Sequence, residues 1–247
     1  MSKRRGQVRI GTSGWSYDDW VGPFYPEGLS AEERLGHYAK TFDAVEINNT
    51  FYQLPEKKAL RRWRDTPGAD FLFACKASRF TTHMKKLKDP KPSTARFFDA
   101  VDALGRKLGP ILFQLPPNWR CNAERLGCFL EALPPGHRYA FEFRDASWHV
   151  DAVLELLREH EAAWCIWDMG GERSPLHVTT DLAYIRLHGP HAAYRGSYDG
   201  RTLSGWTKRI AAWLDDGIDV HCYFDNDEKG YAPKDAQRLC EMVRARR

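Results

Sequence analysis

The stretch "YAFEFRDASW", residues 139–148, holds the pattern on which the fold turns. Tyr139, Phe141 and Phe143 alternate along it as the apolar face of a strand does. Glu142 and Arg144, two residues apart, fall together on the opposite side. If that side met open water, two charges there would need no explanation. If helices covered the apolar side, the charges would instead face an interior, and the rest of the chain supplies those helices.

Seven further apolar segments recur: "VRIGTS" from Val8, "AVEINN" from Ala44, "FLFACKAS" from Phe71, "ILFQLPP" from Ile111, "WCIWDM" from Trp164, "LAYIRLHG" from Leu182 and "DVHCYFDN" from Asp219. All are short and rich in aromatic and β-branched residues, as strands are. Most gaps between them carry apolar residues at three- and four-residue spacing: "SAEERLGHYAKTF", "KALRRWRD", "STARFFDAVDALGRKL", "NAERLGCFLEAL", "VDAVLELLREH", "LSGWTKRIAAWLDDG" and "PKDAQRLCEMVRAR". Ser30 with Glu33 reads as a capping box, Pro92 or Ser93, Asn122 and Pro233 as helix starts, and Gly217 as a helix stop. The sixth connection, 170–181, is too short and too rich in Gly, Pro and Ser for a regular helix.

Strand alternating with helix implies parallel strands joined by right-handed crossovers. Eight such units in 247 residues predict an α/β fold, a single (β/α)8 TIM-like barrel over 1–247 with its core at about 8–245 and a short or irregular sixth connection. The competing arrangement is a doubly wound open sheet.

Composition narrows the classes. A formal charge of +4 permits an anionic ligand without announcing a nucleic-acid binder, and the most basic pieces, "SKRR" and "RARR", read as frayed ends. None of the six cysteines forms a C-x-x-C pair, and Cys75, Cys165 and Cys222 lie in apolar runs, so the expected setting is reducing and cytoplasmic. No apolar stretch follows the basic start and no run approaches the roughly 20 residues of a membrane span, so neither a signal peptide nor a membrane partner is expected. Walker-type, G-x-G-x-x-G and G-x-S-x-G motifs are absent from the sequence, which leaves nucleotide cofactors and a serine-hydrolase elbow unsupported.

The two-residue period then picks out polar side chains on one face of the strands: Glu46 and Asn48, Lys76, Gln114, Glu142 and Arg144, Asp168, then Tyr184, Arg186 and His188. They gather toward the C-terminal ends, where barrel enzymes carry their active sites. The loops add Trp15, Tyr17, Trp20, Phe51 and Tyr52, and the last strand ends near Asn226. Expected catalytic groups are Glu142 or Glu46 as general base and His188 as proton shuttle, with Asp168 a further carboxylate. Lys76, Arg144 and Arg186 would hold an anion, and Gln114, Asn48, Trp15, Tyr17, Phe51, Tyr52 and Asn226 would complete substrate binding. The bland alternatives are a structural Glu142–Arg144 ion pair and aromatics that merely close the barrel.

The stretches "IGTSGWSYDDWVGPFYP", "FDAVEINNTFYQLP", "FLFACKASRFTTH", "PILFQLPPNW", "YAFEFRDASW", "AYIRLHGP" and "CYFDND" together resemble the domain-of-unknown-function 72 family, also called YecE-like, over about residues 8–245. The resemblance implies a TIM-barrel-like fold in a bacterial or archaeal protein, and no particular activity. Its likeness to phosphoester-cleaving barrels of the endonuclease IV type is one of fold. A multi-zinc site would need more His, Asp and Glu ligands than His188, His191, Glu46, Glu142 and Asp168 supply. No cofactor is therefore required, there is room for one divalent metal, and Lys76, Arg144 and Arg186 would oppose it.

Three functions follow as expectations. The first is an enzyme, a phosphoester hydrolase or an isomerase, acting on a phosphorylated or other anionic substrate. The second is a nucleic-acid-binding or repair-associated protein whose aromatics stack bases. The third is a non-catalytic binder of a small anionic ligand.

Overall fold

A computed structural model describes residues 4–246; Ser2, Lys3 and Arg247 of the two basic ends lie outside the described residues. In chain order the elements are β1 (Val8–Thr12), α1 (Arg34–Tyr38), β2 (Ala44–Ile47), α2 (Asn49–Tyr52), α3 (Lys57–Asp65), β3 (Leu72–Lys76), α4 (Pro90–Val101), β4 (Leu108–Gln114), α5 (Ala123–Glu131), β5 (Tyr139–Glu142), α6 (Asp151–Glu159), β6 (Ala162–Met169), β7 (Glu172–Arg173), β8 (Leu182–Leu187), α7 (Gly200–Asp215), β9 (Asp219–Phe224) and α8 (Tyr231–Arg244). All eight expected strands are present, and the fold class is a (β/α)8, TIM-barrel-like one. The sixth connection holds no helix. It holds β7, a two-residue strand that turns back antiparallel on β6.

Two compact units divide the chain: Met1–Glu46 with Ile166–Leu176 and Asp181–Arg247, and Ile47–Cys165 with His177–Thr180. In the first, β1 pairs parallel with β9 from Val8↔Val220 to Thr12↔Phe224, and β8 pairs with β9 from Leu182↔Asp219 to Leu187↔Phe224. A parallel bridge joins Ser13 to Glu46. In the second, β3, β4 and β5 run parallel, with a register shift between Phe73 and Cys75 of β3, Lys76↔Leu112 and Gln114↔Glu142, and Phe141 pairs with Trp164 of β6.

The aromatic alternation of 139–143 packs the second unit. Phe141 stacks on Phe113 at 5.1 Å, Phe143 stacks on Trp148 at 5.0 Å, and Phe129 of α5 meets Phe113 edge-on at 5.1 Å. All five rings are fully buried. Each contributes about 1.5–3 kcal/mol from burial, and the paired geometry adds to that. The amphipathic face of α5 and its Asn122 cap, whose side chain accepts from the Arg125 N–H at 2.8 Å, set the ring of Phe129 against the sheet.

Three helix starts differ from expectation. Glu33 does take the Ser30 N–H at 3.1 Å and its hydroxyl at 2.7 Å, but this closes a turn ahead of α1, which begins only at Arg34. The helix α4 begins at Pro90, whose locked φ suits a first turn, ahead of Pro92 and Ser93. Gly230, at φ 71°, starts α8 at Tyr231, so Pro233 lies within the first turn, where its missing N–H costs nothing.

Candidate active site

In the first unit the polar ends of β1, β2, β8 and β9 meet around Arg186. Its Nε lies 3.1 Å from both carboxylate oxygens of Glu46, and its Nη2 lies 2.8 Å from Glu46 Oε1, 3.1 Å from Asp225 Oδ2 and 3.2 Å from Ser13 Oγ. Tyr184 donates to Glu46 Oε2 at 2.6 Å, and the Ser13 hydroxyl donates to Oε1. Glu46 and Arg186 are both fully buried, so each neutralises the other where water cannot. His188 closes the ring, with Nε2 3.2 Å from Arg186 Nη1 and Nδ1 3.0 Å from Asp225 Oδ2. A guanidinium can only donate, so Nε2 accepts and the proton sits on Nδ1, facing the carboxylate. Beside this ring stands Asp227. Burial first, and then the charge of Asp225, push its carboxyl up to about 9. Its Oδ1 is buried without a partner. The Tyr17 hydroxyl donates to the Ser13 carbonyl at 2.7 Å and also meets Asp227, a contact that tempers the rise of the acid. Gly14 permits this packing: it sits at φ 86°, and a Cβ there would lie 2.5 Å from the Tyr17 hydroxyl.

Other expected residues of the first unit serve different contacts. Asp168 accepts from Arg173 Nη2 at 2.7 Å and from the Tyr198 hydroxyl at 3.1 Å, which ties β7 to the end of β6. The amide nitrogen of Asn226 donates to the Gly196 carbonyl at 2.8 Å and to Asp235 at 3.0 Å, so it fastens the loop after β8 to α8. Trp15 and Trp20 are buried, and Trp20 packs against Tyr17, Phe24 and Tyr25.

In the second unit the strand ends carry a different balance of charge. Glu142 is fully buried, bonded to Arg144 and 3.8 Å from the Cys165 thiol. Gln114 lies beside it in register, half-buried. Lys76 ends β3 with its ammonium 4.3 Å from the centre of the Phe51 ring. Phe51 comes from α2, whose N-cap is Asn48, and its ring touches Tyr52 at 4.9 Å and His83 at 5.0 Å, both edge-on. Tyr52 projects outward, 80% exposed.

His83 sits in a π-helical turn, Phe80–Met84, a form of backbone common at functional sites. Its Nδ1 is 2.9 Å from Thr82 Oγ1, whose own proton goes to the Ser78 carbonyl at 3.3 Å, so Nδ1 carries the hydrogen and Nε2 keeps its lone pair. Burial, then the charges of Lys76 and Arg79, hold His83 down to about 4, with Glu142 pulling weakly the other way. The imidazole should therefore titrate by NMR near pH 4, and Lys76→Met should move the midpoint upward. A midpoint near 6.5 would remove the electropositive field from the account.

Against known proteins, the sequence profile of the family described as "Protein of unknown function DUF72" matches residues 9–247. The chain belongs to the DUF72 family. Among DUF72 relatives, UPF0759 protein YunF of Bacillus subtilis is 23% identical over 96% of this chain and 94% of its own. UPF0759 protein YecE of Escherichia coli K12 is 30% identical over 56% of this chain and 48% of its own. The crystal structure of a DUF72 family protein from Thermotoga maritima superposes with a TM-score of 0.87 at 28% identity, covering 96% of this chain and 99% of that one.

For this DUF72 chain the structure also supplies site residues that strand periodicity left out. Ser13, Asp225 and Asp227 belong to the Arg186 cluster, and His83 to the Lys76 cluster. The same two-residue period, extended into β9, puts His221, Tyr223 and Asp225 on one side and finds Asp225. No period reaches His83, which lies in an irregular turn after β3. Among the described residues no group of three or more His, Cys, Asp and Glu side chains is arranged to hold a metal ion. No helix among them is long and apolar enough to cross a membrane.

Proposed function

We propose that the chain is an enzyme acting on a small phosphorylated or otherwise anionic substrate by general acid–base chemistry, with Lys76 as the anion's partner and His83 as the proton carrier. The observation that carries this reading is that the Phe51 ring meets His83 at 5.0 Å and the Lys76 ammonium at 4.3 Å, where burial and the charges of Lys76 and Arg79 favour the neutral imidazole. Glu46 and Glu142 are weaker candidates for the base, because Arg186 and Arg144 already occupy their oxygens. They orient their arginines instead. The Nε2 lone pair of His188 is likewise engaged by Arg186, whereas that of His83 is not directed at Thr82.

Binding and proton transfer are coupled by charge. An anion beside Lys76 offsets the field that depresses His83, so the imidazole rises toward the neutral range where a base works best. The ring of Phe51 fixes the position of the ammonium.

The test uses native mass spectrometry for a retained anion and a panel of phosphate monoesters for turnover. His83→Gln should lower turnover by about 10²–10⁴-fold while the anion is still retained. Lys76→Met should lose retention. If His83→Gln instead weakens retention and the parent turns over none of the esters, the chain is a binder and not a catalyst.

A further inference from the structure

The segment 79–91, "RFTTHMKKLKDPK", carries five basic residues, Arg79, Lys85, Lys86, Lys88 and Lys91, against one acid, Asp89, so five minus one gives +4 with His83 neutral. The whole chain is also +4, which leaves the other residues balanced to zero and the excess charge gathered in one place. Lys85 pairs with Asp89 at 3.0 Å. Among the described residues, Lys86, Lys88 and Lys91 are exposed and face no carboxylate.

The same place exposes apolar side chains. Phe80 is 43% exposed and Met84 70%, both in the π-helical turn, and Tyr52 lies next to Phe51, whose ring contacts His83 of that turn. The backbone that presents the lysines is strained. Lys86, Leu87 and Asp89 all take left-handed φ values, 48°, 62° and 49°, without being glycine. Each such residue costs on the order of 1–3 kcal/mol, and strain of this kind clusters at ligand-binding segments. Leu87 holds it in place by burying its side chain, and Leu87 N–H donates to the Thr81 carbonyl at 3.0 Å.

We infer that this surface binds a single-stranded nucleic acid, with Lys86, Lys88 and Lys91 on the phosphates and Tyr52 and Phe80 stacking on bases. The inference goes beyond acid–base turnover and is measured as binding alone. Exposed rings favour a single strand, because in a duplex the base faces are already stacked. They also favour it over an acidic peptide, which offers charge but no repeating flat rings. A membrane surface fits less well, since an interfacial anchor needs a longer amphipathic helix than a five-residue turn.

Fluorescence anisotropy with labelled 12-nucleotide dT and U oligomers, at salt between 25 and 200 mM, tests the inference and separates DNA from RNA. Three or four phosphate contacts give a slope of log K against log salt of about −2 to −3. The double variant Lys86→Gln/Lys88→Gln should flatten that slope by about 1.4. Tyr52→Ala and Phe80→Ala should each weaken binding by about fivefold to 100-fold and leave the slope unchanged. All four side chains are solvent-facing, so these variants keep the fold, as circular dichroism will verify. A flat salt response would overturn the inference. So would aromatic variants that bind like the parent, tighter binding to the matching duplex, or a preference for phosphatidylserine vesicles.

Discussion

Replacing Arg186 with methionine should cost about 3–5 kcal/mol of stability, the usual penalty for leaving a buried ion cluster without one partner. Glu46 would then be a fully buried carboxylate with only two hydroxyl donors, and Asp225 would lose the Nη2 contact at 3.1 Å. For a chain of this length the melting temperature should fall by roughly 6–20 °C. Adding Glu46→Gln to the Arg186→Met chain should restore part of the loss, because it removes the stranded charge. Two groups in direct contact do not add. Thermal unfolding at pH 7 measures both, and a drop equivalent to less than about 1 kcal/mol would show that solvent reaches the cluster.

Asp227→Asn should remove the loss of stability with rising pH that Asp227 imposes on the first unit. Burial and the neighbouring charge of Asp225 raise the folded carboxyl from 3.8 to about 9, so the native state keeps a proton that the unfolded chain releases. The contribution is then fully present below about pH 4 and is lost as pH rises toward 9. The loss runs at up to about 1.4 kcal/mol per pH unit. An asparagine has the same shape and no proton to lose. The variant should therefore gain on the parent steadily between pH 5 and pH 8 in urea unfolding. Parallel curves would mean that Asp227 is ionised in the folded state.

The strands were legible because their signal is local. An alternation such as Tyr139–Phe141–Phe143 needs only the pleat to be read, and the gap at 170–181 betrays itself by composition. Helix starts were less legible. Gly230 and Pro90 act through backbone angles that compete with Pro233 and Ser93 for the same role. Within the site, period two found Glu46, Tyr184, Arg186 and His188 as one face, and these meet within hydrogen-bonding distance. It could not tell a side chain facing a ligand from one facing a partner. Asp168 and Asn226 are polar, at strand ends, and engaged by Arg173 and Asp235. The density of charge in 79–91 is hard to read from the sequence because a short Lys85–Lys86 pair, then Lys88 and Lys91 broken up by Leu87, Asp89 and Pro90, looks like an ordinary solvated loop. Only the exposed Phe80 and Met84 mark it as a surface.

Arg186 and Glu46 are 140 residues apart in the chain. On a ribosome adding 5–20 residues per second, Glu46 emerges about 7–28 s before its counter-ion exists. Through that interval β1 and β2 have neither the charge partner nor the neighbouring strand β9. The opening segment must wait, solvated or held by a chaperone, for the closing one. Slow codons between Glu46 and Arg186 should therefore harm the yield of folded protein more than equal changes after Phe224.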